Sequence, residues 1–154
     1  MNLKSPLAAV LLVLGLVLPL AACSSEDSSE PIKADNAWAR ATPPGSKMAA
    51  VYVRLVNPWQ RTVSLLGFQT ERAASAHLHE TRLAEGMSRM QSVGRQVLQG
   101  GESLVLAPGG MHIMLMGLES SLIEGQVFSL QIRTDLGDLQ VPVHVKSMTH
   151  VPAP

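Results

Sequence analysis

Short apolar runs separated by turn-forming residues make up most of the chain. From residue 37 onward these runs alternate with Gly, Pro and Asn, and no convincing helical repeat accompanies them. Runs spaced in this way are typical of the strands of an all-β sandwich or barrel, which we therefore predict. The segment 82–89 is predicted to be a turn-rich excursion between strands. The predicted strands are 49–56, 63–68, 76–80, 103–106, 111–116, 127–134 and 139–145.

The first 23 residues have the features of an export signal. Lys4 supplies a positive charge, residues 11–20 form an apolar core too short to span a bilayer, and small residues precede Cys23. We therefore predict a cleaved signal peptide over residues 1–22. The Leu-Ala-Ala-Cys sequence that ends at Cys23 resembles the lipobox of bacterial lipoproteins, which implies a lipidated Cys23. Ser24, in place of Asp, favours outer-membrane sorting by the same resemblance, and an ordinary signal peptide with a cysteine nearby is the alternative.

The chain that follows the signal peptide divides into three parts. Residues 23–33 are polar and lack apolar periodicity, so they are predicted to form a flexible tether that begins at the lipidated cysteine. Residues 34–146 carry the predicted strands and are long enough for one domain with its own core. Residues 147–154 are predicted to be a mobile C-terminal tail.

Composition and charge exclude several classes of function. Twelve Lys and Arg balance twelve Asp and Glu without a basic block, which argues against nucleic-acid binding. The single cysteine is Cys23, so a lipidated chain has no disulfide, thiolate nucleophile or cysteine metal ligand. No catalytic triad, paired carboxylates or phosphate-binding glycine loop occurs in a supporting context. We therefore predict that the protein is not an enzyme.

Histidine and methionine recur together in two of the predicted strands. The two-residue period of a strand puts His112, Met114 and Met116 on one face of 111–116 and apolar residues on the other. The same period places His77 and His79 on one face of 76–80. Imidazole and thioether form a soft, neutral ligand set, which suits Cu(I) better than Zn(II), Mg(II) or Ca(II). The pattern therefore indicates a copper site.

The spacing of four of these residues is more specific than their types. Ten, twenty-one and one residues separate His79, Met90, His112 and Met114. In this spacing and its flanking residues, the chain from about 34 to 145 resembles the periplasmic copper chaperones called PCu(A)C. The resemblance implies a cupredoxin-like, Ig-like Greek-key β-sandwich that binds one Cu(I) through these four residues. It also implies delivery of copper to an acceptor, either the Cu(A) subunit of cytochrome c oxidase or a Sco-type protein.

Residues near the predicted ligands have less specific interpretations. His77 is either a solvated strand residue or a group that orients His79. Met111 and Met116 are assigned to the core or its rim. Trp38, Tyr52 and Arg40 are assigned structural roles, with Trp38 at the edge of the sandwich.

Two questions stay open from the sequence. His144, Met148 and His150 near the C-terminus belong either to a frayed polar segment or to an additional place that captures copper. A blue-copper protein is excluded because its copper needs a cysteine thiolate. A copper storage or resistance lipoprotein, or a metal-free structural lipoprotein, is the alternative to a copper-delivery protein.

Overall fold

The structure, a computed structural model, describes residues 31–84 and 86–152, which form ten β-strands and no helix. This part of the chain therefore has no helix that could cross a membrane. The predicted signal peptide, Cys23 and most of the predicted tether lie outside it. The strands are β1 Lys33–Arg40, β2 Met48–Val56, β3 Val63–Gln69, β4 Ala73–Ala84, β5 Met87–Ser92, β6 Gln96–Leu98, β7 Ser103–Leu106, β8 Met111–Leu118, β9 Val127–Thr134 and β10 Gly137–Lys146.

The strands form a nearly closed sheet. Seven of them are hydrogen-bonded in the order β4-β8-β2-β1-β10-β9-β3, and a contact between Phe68 and Ala76 brings β3 back to β4. β1 and β10 pair in parallel, whereas the other pairs are antiparallel. β5, β6 and β7 extend the sheet beside β4, β3 and β2. This arrangement confirms the predicted all-β sandwich, which here closes like a barrel.

The alternation of apolar and polar side chains along each strand determines which of its faces packs into the core. On β8, Ile113 and Leu115 are fully buried in the core, and on β4, Ala76 and Leu78 lie in the same core. Burial of a Leu or Ile side chain contributes about 1.5–3 kcal/mol, so these residues fix the orientation of both strands. The residues between them must then point outward. The faces predicted for β8 are therefore those that the structure has.

One predicted element was wrong. The segment 82–89 is not a turn-rich excursion, because it lies in an antiparallel hairpin in which the end of β4 pairs with β5. We call this hairpin, residues 81–84 and 87–92, the hairpin arm. Every residue of β5 is exposed, so neither face is apolar and the alternation that reveals the other strands is missing. β1 and β6 were not among the predicted strands; β1 begins at Lys33, the last residue of the predicted tether, and Ile32 before it is fully buried.

A β-bulge in β1 determines which of its side chains lie on the outer face of the sheet, beside β2. Asp35 pairs with Arg54 and Trp38 with Tyr52, so β1 contains one residue more than β2 in this interval. Asn36 accommodates the bulge at φ 52°, a left-handed conformation that asparagine tolerates better than most residues. As a result Trp38 lies directly opposite Tyr52, with Ala37 and Ala39 in the core.

Candidate metal centre

The two predicted histidine ligands lie side by side on neighbouring strands. His79 of β4 is directly opposite His112 of β8, and their ring centroids are 6.2 Å apart. Directly opposite residues of an antiparallel pair have side chains on the same face. Both rings therefore lie on the outer face of the sheet, which is the face away from Ile113 and Leu78 in the core.

The turn before β8 orients the ring of His112. The Nδ1 atom of His112 is 3.1 Å from the carbonyl oxygen of Gly110, which also accepts a hydrogen bond from the Thr81 amide. Because a carbonyl can only accept, this contact requires a proton on Nδ1 of His112, and in the neutral ring Nε2 then carries the lone pair. Gly109 allows the turn by adopting φ 81°. His112 is itself only 4% exposed, so its free nitrogen is held in one orientation.

His79 has an unused nitrogen in a position without access to solvent. Its Nδ1 atom is buried and has no hydrogen-bond partner among the described residues. Burial lowers the pKa of His79, and the nearby charges of His112 and His77 lower it further. The neutral ring is therefore favoured, and a neutral imidazole is the form that binds metals. An orphaned buried nitrogen beside a second imidazole is consistent with a metal ligand.

The two predicted methionine ligands share the face of the histidines. Met114 follows His112 by two residues on β8, a separation of about 7 Å along a strand. On the hairpin arm, Met90 is opposite Thr81 and Ser92 is opposite His79. Met90 is thus a diagonal neighbour of His79 at about 7–8 Å, within reach of long side chains. Together with the two histidines, these methionines form what we call the four-ligand cluster.

The four-ligand cluster suits a soft metal ion. Among residues 31–84 and 86–152, no group of three or more His, Cys, Asp or Glu side chains is placed to hold a metal ion. A metal bound between His79 and His112 would therefore have no third histidine or carboxylate among the described residues, and the thioethers of Met90 and Met114 are the candidate donors on the same face. Such a set carries no negative charge and favours a monovalent soft ion over a hard divalent one. The role of the four residues of the cluster as metal ligands stays a prediction.

Two aromatic residues that the sequence analysis treated as structural form a wall beside the cluster. The Tyr52 ring lies 6.3 Å from that of His112, and the Trp38 ring lies 4.6 Å from Tyr52. Both are buried, although they belong to the outer face. Burial also raises the pKa of Tyr52, a rise that the charge of Arg40 partly offsets. The wall shields one side of His112 from water.

The C-terminal segment packs against the far end of this wall. The His150 ring meets Trp38 edge to face at 4.8 Å, and Arg40 donates two hydrogen bonds of 3.0 and 3.1 Å to the His150 carbonyl. His150 thus contacts Trp38, which contacts Tyr52, the residue beside His112. It does not belong to the four-ligand cluster, and the mobility of the tail stays a prediction.

Comparison with known proteins identifies similar sequences. The family model of the LpqE-like lipoproteins matches residues 32–145. A protein described as a lipoprotein, Lxx21020 of Leifsonia xyli subsp. xyli, is 34% identical over 134 residues, which cover 86% of this chain and 80% of that protein.

Solved structures with the same fold include PCuAC domains, the family written PCu(A)C above. The copper-bound PCuAC domain from PmoF2 matches with a TM-score of 0.65 and 21% identity, over 77% of this chain and 94% of the domain. The solution structure of CuI-DR1885 from Deinococcus radiodurans matches with a TM-score of 0.63 and 29% identity, over 84% of this chain and 87% of that chain. These likenesses confirm the predicted cupredoxin-like β fold.

Proposed function

Because the chain belongs to the LpqE-like lipoprotein family and shares the fold of PCuAC domains, we propose that it is an extracytoplasmic copper chaperone. It binds one Cu(I) ion through the four-ligand cluster and passes the ion to another protein. The similar protein DR1885 has been solved in its Cu(I) form, which supports the same choice of metal here.

The observation that carries this proposal is the register of β4 and β8. It places His79 directly opposite His112, with Met114 and Met90 on the same outer face. His79 and Met90 lie more than twenty residues before His112 and Met114 in the chain, and the hydrophobic core does not require two imidazoles and two thioethers on the outer face of the sheet. The opposite face of the same strands holds ordinary core residues.

The chemistry of the four-ligand cluster suits transfer better than permanent storage. Four neutral donors hold a monovalent ion without charge compensation, and a thiolate is a stronger donor to soft metals than a thioether. An acceptor that offers thiolates can therefore draw copper from the cluster. We propose the Cu(A) subunit of cytochrome c oxidase or a Sco-type protein as this acceptor, as the resemblance to the chaperones implies.

Membership of a lipoprotein family supports a lipid anchor, for which we propose Cys23. Residues 24–30, which precede the buried Pro31 and Ile32, could extend over at most about 25 Å. The anchor would therefore keep the copper-binding domain close to its membrane. The relatives do not favour the outer membrane over another membrane, so we propose only an extracytoplasmic, membrane-anchored location.

Anaerobic titration with Cu(I) against a chromogenic chelator tests the proposal. The whole secreted protein in detergent micelles should bind one equivalent tightly, and His112→Ala or Met114→Ala should abolish this tight binding. His144→Ala and Met87→Ala are matched controls, because they remove the same types of side chain outside the cluster and should leave the tight equivalent intact. Wild-type protein that fails to compete with the chelator would refute the proposal.

Delivery is tested separately from binding. Copper-loaded protein is mixed with a purified thiolate-containing Cu(A) domain, and the metal content of each protein is measured after separation. Transfer of most of the copper supports a chaperone. Copper that stays on the loaded protein supports the alternative of a storage or resistance lipoprotein.

A further inference from the structure

The outer face of β8 continues to carry thioethers beyond the four-ligand cluster. Met116 follows Met114 by two residues and is directly opposite Met48, the first residue of β2. Directly opposite residues of antiparallel strands have Cβ atoms about 4.5–5.5 Å apart. The two thioethers of Met48 and Met116 can therefore approach one another, and Met114 lies next to them along the strand.

Packing does not explain these methionines. Met48 is 58% exposed and Met116 is half-buried, whereas the core is filled from the other face of β8 by Ile113 and Leu115. A solvent-facing side of an antiparallel sheet usually carries polar residues. Two methionines in direct register on such a side contribute little burial, so their presence asks for another role.

A histidine completes this group of donors. His77 is directly opposite Met114, and Ser75 is directly opposite Met116, so His77 is a diagonal neighbour of Met116. The His77 side chain is exposed, and its neighbour His79 belongs to the four-ligand cluster. One imidazole and two thioethers thus lie on the outer face of the sheet around β8, beside the four-ligand cluster.

We propose that Met48, Met116 and His77, which we call the thioether patch, form a second and weaker site for Cu(I). This inference rests on the proposed copper-binding function and adds a position from which the ion reaches the cluster. Met114, a member of the cluster, is opposite His77 and two residues from Met116, so it can bind the ion as it moves between the sites. Each step breaks one bond from the metal to sulfur or nitrogen and forms another, so the charge and the oxidation state of Cu(I) do not change.

Exposure explains why this second site binds more weakly than the cluster. Ordering an exposed, flexible side chain costs conformational entropy, and both Met48 and His77 are exposed. In addition, the ammonium group of Lys47 lies near this end of β8, 3.4 Å from the Leu118 carbonyl. Its positive charge opposes a bound cation. A weaker site beside a tighter one on the same face favours movement of copper into the cluster.

NMR with Ag(I) as the added ion tests the thioether patch. Ag(I) is soft and monovalent like Cu(I) but does not change its oxidation state in solution. The whole secreted protein in micelles is labelled with ¹³C at the methionine methyl groups, and seven of its eight methionines lie after residue 23. The first equivalent should shift the methyls of Met90 and Met114. The second should shift those of Met48 and Met116, with Met87 and Met148 unchanged.

Matched variants separate the two sites. Met48→Leu and Met116→Leu should each reduce binding from two equivalents to one and leave the first equivalent intact, whereas Met87→Leu should retain both. A second equivalent that is absent, or that shifts Met148 instead of Met48 and Met116, overturns the thioether patch. A first equivalent that fails to shift Met90 and Met114 counts against the proposed function instead, because the two sites are observed at different methyl groups.

Discussion

Met90 and Met114 should contribute unequally to copper affinity, because the fold supports them differently. Met114 is half-buried on β8, between β4 and β2. Met90 is 53% exposed and lies on β5, none of whose residues reaches the core. Substitution by leucine removes the sulfur at either position while keeping the volume of the side chain. We therefore expect Met90→Leu to weaken Cu(I) binding less than Met114→Leu.

The difference follows from how much rotamer freedom each methionine side chain retains before copper binds. An exposed methionine must lose rotamer freedom to coordinate the ion, at a cost of about 0.5–1.5 kcal/mol that a partly packed one has largely met during folding. The net contribution of Met90 to the free energy of Cu(I) binding is smaller by this amount. The increase in Kd should therefore be roughly 2- to 13-fold smaller for Met90→Leu than for Met114→Leu.

Competition with a chromogenic Cu(I) chelator measures both dissociation constants. Met87→Leu is the control, because Met87 lies on the same strand and is 54% exposed but points to the opposite face of the hairpin arm from Met90. Volume-conserving changes of this kind usually cost less than about 1.5 kcal/mol, so all three variants should remain folded. An increase in Kd for Met90→Leu that equals or exceeds that for Met114→Leu would refute the reasoning.

Two further predictions concern the metal-free protein. The pKa of His79 should lie below its usual value of 6.5, and the free energy of unfolding should fall as the pH drops below 6.5, because the unfolded chain then binds the additional proton more readily. A histidine NMR titration checks the pKa, and a midpoint at or above 6.5 would contradict it. Asn57→Ala should lower the free energy of unfolding by about 1–3 kcal/mol or more, because the fully buried Asn57 amide donates to the carbonyls of Arg61, Leu98 and Gln99. Urea unfolding measures this loss, while an unchanged Cu(I) stoichiometry shows that the effect is confined to stability.

The strands that could be predicted from the sequence are those with one regularly alternating buried face; β1, whose bulge breaks the alternation, and the three-residue β6 were not predicted. β10 alternates strictly between buried and exposed residues from Leu139 onward, and β9 does nearly the same, so the two-residue period is visible in the sequence. β5 was missed because both of its faces are exposed. Its existence depends on pairing with the far end of β4, which a local pattern cannot reveal.

The candidate site could be predicted as a set of residues but not as an arrangement. Spacing and resemblance identified His79, Met90, His112 and Met114, and the two-residue period placed His112 and Met114 on one face. The direct opposition of His79 and His112 depends on the register of strands far apart in sequence. The aromatic wall depends on the bulge at Asn36, and the orientation of His112 depends on a backbone carbonyl. None of these three features can be recognised from the residue types alone.

The two faces of β4 and β8 separate folding from metal binding. Leu78, Ile113 and Leu115 secure the strands from inside the core, and the donor side chains alternate with them on the outside. Replacing an exposed outer donor such as Met90 therefore removes little buried apolar area, whereas replacing an inner residue such as Ile113 with Ala would cost about 2–5 kcal/mol. Volume-conserving changes of the two methionine donors should therefore leave the fold intact. For the same reason, loss of copper binding in variants of Met90 or Met114 can be attributed to the missing thioether.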